Sequence, residues 1–215
     1  MAAACSLREP EIVSASAAPF RASSHECFVC FDAVAESLHS PLAKGVRPMR
    51  EGAPSDAAFF VTWTSGKDRL RGCLGTMRPV AFEPGLADMA VKAASKDSRF
   101  APVPLADLPT LTCGVSILSP MVPCSAWDDW DVGVHGIVLQ WRDYSATYLP
   151  EVALEQHWNK REAVESLAHK AGFTLEDKHL SEIKVKKYTS SKAKATFGAT
   201  LLSNARAAYT RFSKL

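Results

Sequence analysis

Phe59-Phe60-Val61-Thr62-Trp63 leads through Ser65-Gly66-Lys67-Asp68 into Arg69-Leu70-Arg71-Gly72-Cys73-Leu74-Gly75-Thr76. Two runs of strand-forming residues around a polar, glycine-containing turn predict a β-hairpin. Two strands joined so tightly must run antiparallel, and this hairpin sets the class expected for the whole chain. In a regular strand over 69–76, Leu70 and Leu74 share one face, while Arg69, Arg71 and Cys73 share the other. The leucines are expected to face a core and the thiol a more polar side. Gly72 and Gly75 leave bare backbone, as needed where a ligand or another chain segment comes close. A cationic neighbour favours the thiolate, the reactive form of cysteine. The competing reading is a small packing cysteine in a glycine-rich strand, since buried free cysteine is common.

Outward from the hairpin, Cys27, Cys30, Phe31, Val34 and Leu38 repeat at helical spacing and predict a helix from His25 that Pro41 stops. Pro84-Gly85 is expected to open a second helix running to about Ser98, with Leu86, Met89, Ala90 and Ala93 on one face. Leu111–Leu118, Val134–Trp141, Ser145–Leu149 and Ile183–Tyr188 read as strands, with Arg142-Asp143 as a tight turn. Pro150 suits a first helical turn, and Gly172 suits the cap of a helix over about 160–171. Strands paired by short turns and mixed with helices, without βαβ regularity, predict an α+β fold with a mainly antiparallel sheet flanked by helices.

Three further stretches could carry chemistry. His135 lies between Gly133 and Gly136 at the start of an expected strand, with Ile137 and Leu139 on its side, and could serve a thiol as general base. A hydrogen-bonded core histidine is the plainer reading. Glu151 follows Pro150 at a helix start, where it could cap the helix or orient His135. Lys184, Lys186, Lys187, Lys192 and Lys194 form a basic run beside Tyr188, read either as phosphate contacts or as an edge strand guarded by lysine. Cys27-x-x-Cys30 falls on the apolar face of its helix with no second close pair of Cys or His, so neither a metal nor a cofactor is expected.

Composition bounds the rest. Of 215 residues, 47% are hydrophobic and 22% charged, an ordinary globular balance, and no apolar run reaches the length of a membrane-spanning helix. A net charge of +2 makes long-range steering of a polyanion weak. Residues 1–24 read as a flexible leader with neither a secretory nor a mitochondrial pattern, so the thiols are expected to stay reduced inside the cell.

RGCLGT at 71–76, KDSRF at 96–100, DWDVGVHGI at 129–137 and SATYLPEVALEQHW at 145–158 resemble the AMMECR family, in order and in register from about His25 to Ser190. The resemblance implies a domain over 25–192 in two lobes, with a cleft lined by the RGCLGT segment. The family signature maps onto Arg71, Gly72, Cys73, Gly75 and Thr76, then Asp97, Arg99, His135 and Glu151. It implies a catalytic or contact role for Cys73, His135 and Glu151, and ligand contacts for the others. Three positions depart from the family pattern: Leu74 for isoleucine, Val122 for glutamate, and His157 for the glycine of EQGW. Prokaryotic members often travel with Memo-like and radical-SAM proteins, which implies a shared modification pathway; no activity is securely assigned to the family.

Residues 193–215 are expected to extend beyond the domain and end in Ser213-Lys214-Leu215, the peroxisomal address read by the import receptor. Delivery to a peroxisome-type organelle is therefore expected, with the cytoplasm as the alternative. Three functions follow from these readings: a thiol-dependent enzyme at Cys73, a binding or adaptor module that uses the same cleft through Arg71, and nucleic-acid binding through the lysine run. A peroxisomal address argues against the last.

Overall fold

The computed structural model describes residues 20–201, which fold into two antiparallel four-stranded sheets with helices against each. The first sheet is built on the hairpin, whose strands are β1 (Asp56–Ser65) and β2 (Arg69–Ala81). With β3 (Leu111–Leu118) and β8 (Ser190–Thr196) they stand in the order β2-β1-β3-β8. The second sheet has the order β4-β7-β5-β6, from β4 (Val122–Pro123), β5 (Gly136–Trp141), β6 (Tyr144–Tyr148) and β7 (Lys184–Tyr188).

Helix α1 (Ser24–Ser37) starts at a capping box, in which Ser23 accepts from the His25 N–H and Glu26 reaches back to the Ser23 N–H. Its buried face joins that of α2 (Phe82–Ser95) over one side of the first sheet. Phe31, Phe59, Trp63 and Phe82 are fully buried there, each worth roughly 1.5–3 kcal/mol. In the second lobe, α3 (Pro150–Glu155) and α4 (Lys160–Ala171) pack on β5 and β6. Pro150 opens α3, Asn159 and Glu162 form the capping box of α4, and Gly172 closes α4 at φ 105°.

Helix α2 approaches the hairpin closely. The Trp63 indole N–H donates to the Ala90 carbonyl at 3.0 Å, and Gly72, opposite Trp63 in the register, lies against the Ala93 carbonyl. A Cβ at Gly72 would overlap that carbonyl oxygen and come to 2.9 Å from its carbon. The glycine is thus required by a chain segment.

Two expectations change. The pairing slips between Trp63 and Thr64, so Gly72 opposes Trp63 while Leu70 opposes Thr64, leaving Arg71 as the extra residue of a bulge. A bulge reverses the alternation beyond it: Leu74 still packs on the core, but Leu70 takes a register position on the Cys73 side. The lysine run is likewise divided. Lys184, Lys186 and Lys187 belong to β7, which lies between β4 and β5, whereas Lys192 and Lys194 belong to β8, the edge of the other sheet. β8 had no clear sequence signal, and it extends the first sheet to Thr196, with Phe197 buried behind it.

The lobes meet where Ala58, Leu118 and Tyr188 cluster with Phe60, Met77, Met121, Val138 and Leu149. The side of the first sheet away from α1 and α2 is therefore partly roofed by the second lobe. Replacing Gly72 by Ala is expected to cost about 1–3 kcal/mol, because backbone must move. Gly114→Ala, whose Cβ would meet nothing nearer than 3.8 Å, is expected to cost less than about 1 kcal/mol. Urea unfolding of the two variants tests the difference.

Candidate functional site

Strand β2 is an edge, so alternate residues present N–H and C=O groups with no strand to receive them. At Cys73 two side chains take the place of the missing strand. The Cys73 N–H donates to Asp97 Oδ2 at 2.9 Å, and Arg99 Nη2 donates to the Cys73 carbonyl at 3.2 Å. Asp97 and Arg99 also hold each other, Nε to Oδ1 at 2.9 Å and Nη2 to Oδ2 at 2.7 Å. The clamp is locally encoded: α2 ends at Ser95, and the Arg99 N–H bonds back to Asp97 Oδ1 at 3.2 Å. Asp97 is buried, and its carboxyl is held well below the usual carboxylate range, first by the Arg99 side chain and then by the Cys73 N–H.

Since the Cys73 backbone faces the open edge, Thr62 and Cys73 form a non-hydrogen-bonded pair, the kind whose side chains lie closer. Thr62 Oγ1 and Cys73 Sγ are 3.2 Å apart, in a hydrogen bond that either atom can donate. The thiol is half-buried. Gly114 follows across β3 and Lys194 across β8, making one row over the face away from the core. The next row, Gly75, Phe60, Ser116 and Lys192, leads into the contact between lobes. There the Lys192 ammonium pairs with the Glu151 carboxylate on α3. Gly75 is required by its neighbours, for a Cβ there would strike the Phe59 carbonyl and the Phe60 ring.

The expected site residues thus separate. Cys73 is joined to Asp97 and Arg99, and, through a position that sequence reading passed over, to Thr62. Among the described residues no hydrogen bond links Cys73 to His135 or to Glu151. His135 precedes β5, and its Nδ1 accepts the Asp131 N–H at 3.0 Å. Arg71 points its guanidinium at Asp107, with Nη1 to Oδ2 at 3.2 Å. Thr76 makes a local exchange with Arg78. The guanidinium that reaches Cys73 is that of Arg99, 26 residues further along the chain, and it bonds the backbone carbonyl. The alternation of β1 could have pointed to Thr62, but Asp107 had no signal.

Cys27, Cys30 and Cys113 meet in the core of the first lobe, all fully buried. Burial pushes the Cys30 and Cys113 thiols up, so they behave as protonated packing groups. Cys124, on the second lobe, is also raised, mainly by partial burial and against the pull of Lys187. Among the described residues no group of three or more His, Cys, Asp or Glu is placed to hold a metal, and no helix is long and apolar enough to cross a membrane.

Two antiparallel sheets with helices on each, meeting at the small apolar cluster around Tyr188, define an α+β protein of two lobes. A family sequence model for AMMECR1 matches residues 27–193, and the chain belongs to that family. An uncharacterized protein of Schizosaccharomyces pombe is 37% identical over 154 residues, covering 68% of this chain and 79% of that protein. An uncharacterized protein of Arabidopsis thaliana is 41% identical over 125 residues, 54% of this chain; the match spans 58% of the Arabidopsis protein. Among solved structures, an uncharacterized protein from Pyrococcus horikoshii superposes with a TM-score of 0.62 at 25% identity, covering 79% of this chain and 90% of the other.

The depressed Asp97 carboxyl makes stability depend on pH. Its folded value lies below its unfolded one, so its contribution is complete above about pH 4 and is lost as pH falls toward the folded value. Urea midpoints measured from pH 7 down to pH 3 are expected to decline, and less steeply in Asp97→Asn. Equal slopes would mean that the clamp adds nothing.

Proposed function

We propose that the protein acts through a cleft on the open face of the first sheet, with Cys73 as the thiol that reacts with a bound ligand. The observation that carries this reading is the fixed, half-exposed position of Cys73. Its N–H and C=O are both clamped, by Asp97 and Arg99, and its sulfur meets the Thr62 hydroxyl. A residue needed only for packing requires neither an ionic clamp nor access to solvent. The Arg99 side chain is 56% exposed, so it can also meet an anionic ligand beside the thiol. In this reading His135 and Glu151 act on the ligand from the second lobe.

Folded protein treated briefly with iodoacetamide at pH 7 is expected to be alkylated at Cys73 and spared at Cys27, Cys30 and Cys113. Arg99→Ala is expected to slow the Cys73 reaction several-fold. A Cys73 that reacts only after unfolding would overturn the thiol reading.

A second reading, a non-catalytic binding or adaptor module in the same cleft, is favoured by one observation. No base among the described residues is hydrogen-bonded to the Cys73 thiol. Cys73→Ser separates the two: it is silent for a binding module and removes any covalent adduct or turnover for a thiol enzyme. Partnership with Memo-like or radical-SAM proteins rests on family association, and co-purification with the full chain tests it. Ser213-Lys214-Leu215 lies outside the described residues. The peroxisomal proposal for it predicts that a chain tagged ahead of residue 1 reaches those organelles and that deleting 213–215 leaves it in the cytoplasm.

A further inference from the structure

At the turn end of the hairpin, a cavity of about 440 Å³ is lined by Ser65, Lys67, Arg69, Arg71, Asp107 and Thr110. That volume lies within the range of small-molecule sites. Three cations and one carboxylate line it, and the charges do not cancel. Asp107 pairs with Arg71, whereas Lys67 and Arg69 have no ion-pair partner among the described residues. Asp68, the carboxylate between them in sequence, is drawn to Lys194 at 3.3 Å. The bulge has its extra residue at Arg71, the position that brings this guanidinium to the cavity.

A second observation points to a ligand. The Ser65 hydroxyl is buried and has no hydrogen-bond partner, on a residue 8% exposed that lines this same cavity. Buried hydroxyls without partners are rare in folded proteins. One hydroxyl, one ammonium and two guanidinium groups around one space form a donor set for an oxyanion with several charged oxygens.

We propose that this cavity binds the phosphate group of a small phosphorylated molecule, at a site apart from the Cys73 thiol and independent of its chemistry. Lys67 and Arg69 supply the uncompensated charge, Ser65 a neutral hydrogen bond, and Arg71 a contact that Asp107 restrains. Asp107 therefore weakens binding while it positions Arg71.

Inorganic pyrophosphate titrated calorimetrically into the full chain at low salt tests the assignment, with acetate and citrate at equal ionic strength as carboxylate controls. Saturable one-site binding of pyrophosphate, at least tenfold tighter than either control, is expected. The exposed Lys67→Ala/Arg69→Ala double variant is expected to lose at least tenfold in affinity, Asp107→Asn to gain several-fold, and Cys73→Ser to bind as the wild type does. Pyrophosphate binding no tighter than the carboxylates, or unchanged in the double variant, would overturn the proposal. So would a loss of affinity in Asp107→Asn.

Discussion

Gly72 and the Ala93 carbonyl lie so close that no side chain fits between them, and this approach of α2 to the hairpin governs the first lobe. It depends on small residues on the helix, Ala90 and Ala93, and on Trp63, whose indole N–H ties the helix backbone to the sheet. Because α2 ends beside β2, the residues just after it fall within reach of the open edge. Asp97 and Arg99 can then satisfy both backbone groups of Cys73. An edge strand is commonly protected by charge or by a covering loop, and here an ion pair supplies both partners of a missing strand. The position of the thiol is a consequence of how that edge is closed.

The same geometry explains why the glycines of the signature are needed. Gly72 yields to a helix, and Gly75 yields to the Phe60 ring and the Phe59 carbonyl. Both are demanded by chain packing, which leaves Cys73 between them as the residue of this segment whose side chain is neither core nor turn. Lobe contact follows from the next row of the sheet. Phe60 joins Tyr188, Val138 and Leu149, while Lys192 and Glu151 pair across the boundary. Tyr188 is therefore both the end of one sheet and part of the junction, one residue before the chain crosses at Thr189 into the other sheet.

Much of the fold was legible because local signals were strong. The hairpin turn, the strand over 111–118, the helix over 160–171 with its Gly172 cap, and Pro150 at the start of α3 all follow from short-range stereochemistry. What failed was non-local. β8 pairs with β3, far away in sequence, and its alternating Ser, Lys and Ala carry little hydrophobic pattern. The bulge at Arg71 depends on how two strands share one sheet, so the side assigned to Leu70 could not be read from β2 alone.

Read in order, the residues specify the α+β class, most of the elements and the family, since propensity, turn chemistry and a long run of motifs are local properties. Which groups surround Cys73 depends instead on the assembled fold. It joined Cys73 to Thr62 through strand pairing and to Asp97 and Arg99 through the end of a helix. It also turned Arg71 toward Asp107 instead of the thiol. The physical reason is that edge closure, bulges and ion pairs are settled by backbone groups seeking partners across the fold, and those partners lie many residues apart.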